Sequence, residues 1–163
     1  MPSTKLGLWL LVGLAGVGQC AAQTTTELKG NLLNDPFVQA TNGLADCPVS
    51  PGPMITEAEK RAQEHGRVER GTTCYRMGRC RLPNAYLYDA EIIPRVQKAI
   101  TMDGRFAQTS VWAEGQRRWV WLTGCVRSAD EAQAIEQLVR NIDDVEAVIN
   151  ELKVWPAKPG TSP

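Results

Sequence analysis

Gly115-Gln116-Arg117-Arg118-Trp119-Val120-Trp121-Leu122-Thr123-Gly124-Cys125-Val126 is the stretch on which the fold turns. From Arg117 to Cys125 it is rich in aromatic and β-branched side chains, which marks a strand. A second β-rich run, Thr109 to Glu114, precedes it, and the pair predicts a hairpin with its connection at Gly115-Gln116. On the N-terminal side Ala90, Ile93, Val96 and Ile100, with Ile92 and Ala99 beside them, recur at helical spacing and predict a helix from about Asp89 to Met102. Pro94 falls early enough in that helix to be tolerated. On the C-terminal side Ser128 and Glu131 have capping-box spacing, and Ala132, Ile135, Leu138, Val139 and Ile142 form the apolar stripe of a second helix. A third strand, Ala147 to Trp155, ends at Pro156, and residues 157–163 read as a polar, disordered tail. The order αββαβ predicts an α+β domain over residues 88–156, with two helices on one face of a three-stranded sheet.

Strand alternation sorts the side chains by face. Val120, Leu122 and Val126, with Val148, Leu152 and Val154, belong to the side the helices cover. Trp119, Trp121, Thr123 and Cys125, with Ile149 and Trp155, belong to the other, an unusually apolar set for a face without helices. Either residues 23–87 fold back over it, or it is a docking surface for a bilayer or another protein.

Those residues form an arm. Asn34-Asp35-Pro36, Asn42-Gly43 and the Pro48 to Pro53 cluster read as extended chain broken by turns. Thr56 with Glu59 then predicts a capped, mostly polar helix running toward Arg70. A loop from Gly71 to Pro83 follows, with Cys74 and Cys80 near its ends. Arg67, Arg70, Arg76, Arg79 and Arg81 make the region locally basic. Such a loop suits phosphate headgroups or an acidic partner; equally, its arginines can pair with the acidic second half of the chain.

Lys5, the apolar run Leu6 to Gly18 and the small residues Cys20, Ala21 and Ala22 have the layout of a signal peptide over residues 1–22. The run is too short to cross a bilayer comfortably. Cleavage after Ala22 is favoured over lipidation at Cys20, because Gln19 is larger than the residue a lipoprotein signal usually places before its cysteine. The product is then periplasmic or secreted; the alternative is a lipoprotein anchored through Cys20. The glycines Gly13, Gly16 and Gly18 lie in this segment without a preceding strand and carry no dinucleotide-binding meaning.

Cys47, Cys74, Cys80 and Cys125 remain, an even number in an exported chain, and suggest two disulfides. Of the three possible pairings, Cys47 with Cys125 and Cys74 with Cys80 comes first, since a bond at Cys125 would hold the arm across the tryptophan face. No metal or cofactor is implied: the spacing between Cys74 and Cys80 is wider than in zinc sites, His65 is the single histidine, and the haem-attachment pattern is absent. No nucleophile elbow, metalloprotease helix or phosphate loop is present either. The carboxylates Asp143 and Asp144 read as turn residues. The 163-residue chain carries 18 Lys and Arg against 18 Asp and Glu, so its net charge favours no nucleic-acid partner.

The stretch Gly115 to Val126, the acidic-capped helix and then Asp144-Val145-Glu146-Ala147-Val148-Ile149-Asn150-Glu151-Leu152-Lys153-Val154 together resemble a BON domain. The resemblance covers about Asp89 to Trp155 and rests on the hydrophobic positions around Gly124 and Asn150. Many members carry two such domains, whereas residues 23–88 show no second copy. The resemblance implies a non-catalytic binding module of the bacterial envelope that interacts with anionic phospholipid or another envelope component. Arg76, Arg79, Arg81, Arg117, Arg118, Trp119 and Trp121 are the candidate contacts. The alternative is a structural or protein-interaction subunit of an envelope assembly; the oligomeric state is left open.

Overall fold

The computed structural model describes residues 27–70 and 73–155; the leader with Cys20 and the tail 157–163 lie outside the described residues. The sheet has four strands, β1 (Phe37–Asn42), β2 (Ser110–Gln116), β3 (Trp119–Val126) and β4 (Ala147–Val154), adjacent in that order. β1–β2 and β2–β3 are antiparallel, and β3–β4 is parallel. The fourth strand, β1, comes from the arm and adds to the three expected. It is short, and an irregularity between Gln39 and Thr41 breaks the alternation that would have revealed it. Its outer edge is closed by side chains, since Gln97 Nε2 donates to the Gln39 carbonyl and Thr101 Oγ1 to that of Ala40, each at 2.9 Å.

Gly115 and Gln116 lie within β2, so the hairpin turn sits two residues later than expected, at Arg117 and Arg118. Both have positive φ, 56° and 70°, the backbone of a type I′ turn that usually calls for Asn or Gly. The buried Asp89 carboxylate supports it, accepting the N–H of Arg117 at 2.5 Å and of Arg118 at 2.7 Å. Gly115 answers a different need: a Cβ there would stand 2.6 Å from Ile93 Cγ1, so glycine lets the helix that carries Ile93 approach β2.

α3 (Tyr86–Met102) and α4 (Ala129–Arg140) cover one face of the sheet. Tyr88, Ile92, Ile93, Val96 and Ile100 of α3, with Ile135 and Val139 of α4, pack against Val111, Ala113, Val120, Leu122, Val126 and Val148. α3 starts three residues earlier than expected, which places Pro94 inside it; Ala90, whose carbonyl loses its helical partner, and Pro94 are both exposed, so water can serve the freed group. For the same reason Ala90 is not part of the core. Ser128 caps α4 as expected, its side chain accepting from Glu131 N at 3.1 Å.

The other face carries Trp112 and Cys125, buried against Cys47 with Phe37, Leu44 and Trp155 around them. A disulfide joins Cys47 to Cys125 across a sequence separation of 78, and a second joins Cys74 to Cys80. The arm is held further by Gly43 N donating to Thr109 O, by Ser110 Oγ bridging Leu44 N and O, and by Ser50 Oγ against Thr123 Oγ1. Gly124, at φ 121°, takes a backbone that no L side chain readily adopts, and a Cβ there would overlap the Ser110 carbonyl. Further along, the arm forms α1 (Glu57–Glu69), which has the full capping box: Glu59 N donates to Thr56 Oγ1 at 3.2 Å and Thr56 N to the Glu59 carboxylate at 2.7 Å.

A Cys47→Ala/Cys125→Ala double variant should lose ~3–5 kcal/mol in urea unfolding, as expected for opening so long a loop. A Cys74→Ala/Cys80→Ala variant should lose less; equal losses would contradict the role given to the long-range bond.

Candidate functional site

The Cys74–Cys80 bond turns a short helical turn, α2 (Thr73–Arg76), and the residues after it into a ring. Gly78 N donates to Tyr75 O and Arg79 N to Cys74 O, with Gly78 at φ 68° reversing the chain. The ring leans on the hairpin turn, where Arg118 Nη1 approaches Cys80 Sγ at 3.1 Å and Cys74 Sγ at 3.7 Å. Outward it presents Tyr75, 47% exposed, and Met77, 65% exposed, alternating with exposed Arg76 and Arg79. The side chains of Arg76 and Arg79 have no hydrogen bond or ion pair among the described residues.

The remaining candidates have partners. Arg81 pairs with Glu91 at 2.6 Å and with Asp144 at 3.6 Å. Arg118 is largely buried: its Nε donates to Asp144 O at 2.8 Å, Nη1 lies 3.6 Å from Glu146, and the guanidinium stands 5.2 Å from the centre of the Tyr88 ring. Arg117 stands over Tyr86 and reaches Asn84. Trp119 and Trp121 are half-buried and tilted against each other at 5.8 Å, and Arg70 covers Trp119 at 4.4 Å. Beside the ring, Glu69, Arg70, Thr73, Cys74, Arg79, Arg118 and Glu146 line an open concavity of about 470 Å³.

Residues 88–156 match the family model of the BON domain. This part of the chain is a BON domain. No curated protein and no solved structure matches the chain. At the level of the family a BON domain is a phospholipid- or envelope-binding module, generally non-catalytic, and the proteins that carry one are typically envelope-associated. The match takes in α3, β2, β3, α4 and β4. The ring, α1, β1 and the segment bearing Cys47 lie before it, so the exposed arginines and the cover of the second face are additions to the BON domain. Among the described residues no helix is long and apolar enough to cross a membrane.

Where the arm meets the BON domain, charges are buried. Arg67 Nη1 pairs with Asp35 at 2.7 Å, with both side chains almost fully enclosed, and Arg67 Nη2 donates to Gln63. Burial first, and the neighbouring Arg67 second, lower the pKa of both Arg70 and Arg117. The Nε–H groups of Arg67, Arg70 and Arg117 are buried without an acceptor. Burial raises the pKa of Asp89 despite its two backbone hydrogen bonds. Glu114 is pushed up to about 7, chiefly by burial and then by Asp35, with Arg67 opposing and Glu151 adding to the rise.

None of Asp35, Arg67 as a buried pair, Asp89 as the support of a turn, or Glu114 was identified from sequence as a site residue. Only Glu114 had a local signal: strand alternation puts it on the same face as Trp112, a carboxylate among apolar neighbours. The other partnerships join residues 28 or more positions apart.

A raised carboxylate pKa in the folded state favours folding at low pH, and that contribution is lost as pH rises through the folded value. For Glu114 the window runs from about 4.5 to about 7. Between pH 5 and 8 the melting temperature of the wild type should therefore fall relative to that of Glu114→Gln. Parallel profiles for the two proteins would show that Glu114 titrates normally.

Proposed function

We propose that the protein is an exported, non-catalytic binding module of the cell envelope that engages anionic phospholipid through its Cys74–Cys80 ring. The observation that carries this reading is the ring itself, where two large apolar side chains, Tyr75 and Met77, stand exposed beside Arg76 and Arg79, whose charges have no partner among the described residues. Guanidinium groups bind phosphate by charge-assisted hydrogen bonds. An aromatic and a thioether side chain beside them suit the boundary between headgroups and acyl chains. A ring already closed by a disulfide has less conformational freedom to lose on docking.

Of the seven candidate contacts Arg76 and Arg79 lead, while Arg81 and Arg118 serve to hold the ring's surroundings together. Export to the periplasm or beyond is supported by the two disulfides, which persist in oxidising compartments.

Co-sedimentation with vesicles should show binding to phosphatidylglycerol and little to phosphatidylcholine, weakening as salt is raised. Arg76→Gln/Arg79→Gln should reduce binding to the anionic vesicles ~30-fold, on the scale of ~1 kcal/mol for each basic residue near such a surface. Met77→Ser should reduce it without changing the salt dependence. Equal binding to both vesicle types, or no effect of the double variant, would defeat the reading.

A further inference from the structure

The face of the sheet that the helices leave bare is not wholly filled by the arm. Two open cavities of about 440 Å³ each lie along it and share Gly52, Glu114, Trp121 and Glu151, so they form one continuous groove. One wall is the proline-containing segment 48–55, and the other is β4, with Trp155 at one end. Trp121, half-buried, is paired with Glu114 on β2, and Glu151 on β4, which is paired with Thr123, lies diagonally from it on the same face.

The groove also takes in the Arg67–Asp35 ion pair, and Arg70 nearby donates to the neutral amide of Gln116. Glu114 and Glu151 are different: among the described residues neither carboxylate has a hydrogen bond or an ion pair, and each acts on the other only by repulsion. The half-buried Glu114 carboxylate is costly without a donor, and the exposed Glu151 adds a second negative charge to the same groove. Lys153 lines the groove near Trp155 and offsets one of the two. An indole face flanked by carboxylates is the arrangement that holds an ammonium or guanidinium group, by cation–π attraction on one side and charge-assisted hydrogen bonds on the others.

We propose that this groove binds an extended basic segment of a partner protein, with an arginine or lysine side chain over Trp121 between Glu114 and Glu151. Charge complementarity selects a cation, and the length of a groove made of two joined cavities selects a chain over a small polyamine. The site lies apart from the ring and does not depend on the lipid reading.

The full exported chain, with both disulfides formed, would be titrated with an acetylated, amidated hexapeptide alternating arginine and glycine, while the indole N–H resonance of Trp121 is followed by NMR. Controls are the same peptide with glutamine in place of arginine, spermidine, and phosphatidylglycerol vesicles. Saturable binding of the arginine peptide should shift the Trp121 resonance and weaken ~10-fold in each of Glu114→Gln and Glu151→Gln, a loss typical of one partly buried charged contact. These near-isosteric changes remove repulsion, so unchanged or raised unfolding midpoints would confirm that the variants fold. Affinity should also rise from pH 6 to 8, as Glu114, placed among Asp35, Arg67, Glu151 and Lys153, loses its proton. No saturable binding, equal binding of the glutamine peptide, or variants as tight as wild type would overturn the proposal. Spermidine binding as tightly at the same resonance would overturn the polypeptide occupant, and vesicles shifting that resonance would assign the face to the membrane instead.

Discussion

Cys125 sits on the face of the sheet that the helices do not cover, and its bond to Cys47 ties that face to the arm. A three-stranded sheet with helices on one side only would leave Trp112 and Cys125 in water, an apolar patch that a soluble chain rarely tolerates. The arm removes the problem twice, by adding β1 to the edge of β2 and by laying Cys47, Leu44 and Phe37 over the tryptophan. Strand addition and cover reinforce each other. With β1 in register, Gly43 and Leu44 bond to Thr109 and Ser110, which delivers Cys47 to Cys125; with the bond closed, β1 cannot drift from the edge. The BON domain in this chain is thus completed by sequence outside the family match.

A second chain of contacts links the BON domain to the ring. Asp89, at the start of α3, supports the turn at Arg117 and Arg118 through their backbone N–H groups. That turn aims the Arg118 guanidinium at Asp144 O, Glu146 and the two sulfurs of the ring. An arginine in a positive-φ turn position is unfavourable locally, and the tertiary contacts of its backbone and side chain offset the strain. Arg118 is therefore better understood as a strut than as a contact for a ligand, which leaves the ring's own arginines available.

How much of this was legible follows from the range of each interaction. The helices and the hairpin declare themselves through periodicity within a dozen residues, and the caps at Thr56 and Ser128 through a spacing of three. The faces of β3 were readable because alternation is a local property. β1 was not, since six residues with a bulge carry too little pattern and its partner lies about 70 residues away. The turn was misplaced because Gly115 looks like a turn residue when only neighbours in sequence are considered, whereas it is required by Ile93 in space. At the site the exposed members, Arg76 and Arg79, were accessible to a reading of charge. The buried ones, Asp35, Arg67 and Asp89, act through partners that no local pattern announces.

Zero net charge conceals a division of labour in the charges. Around α1 and the hairpin turn, burial first and the neighbouring Arg67 second lower the pKa of Arg70 and Arg117, and among the described residues three buried Nε–H groups lack acceptors. On the sheet face, Glu114 and Glu151 repel each other across Trp121. Asp35 and Arg67 lie between these regions, and Arg67 is the one cation that opposes the rise of Glu114. Removing this buried pair would take from Glu114 both Asp35, which raises its pKa, and Arg67, which opposes that rise by less, and would take from the arginine cluster a buried anion. A pair enclosed at this depth adds little net stability once its desolvation is counted. What it does supply is a fixed link, tying Asp35, just before β1, to Arg67 on α1 where both reach the groove.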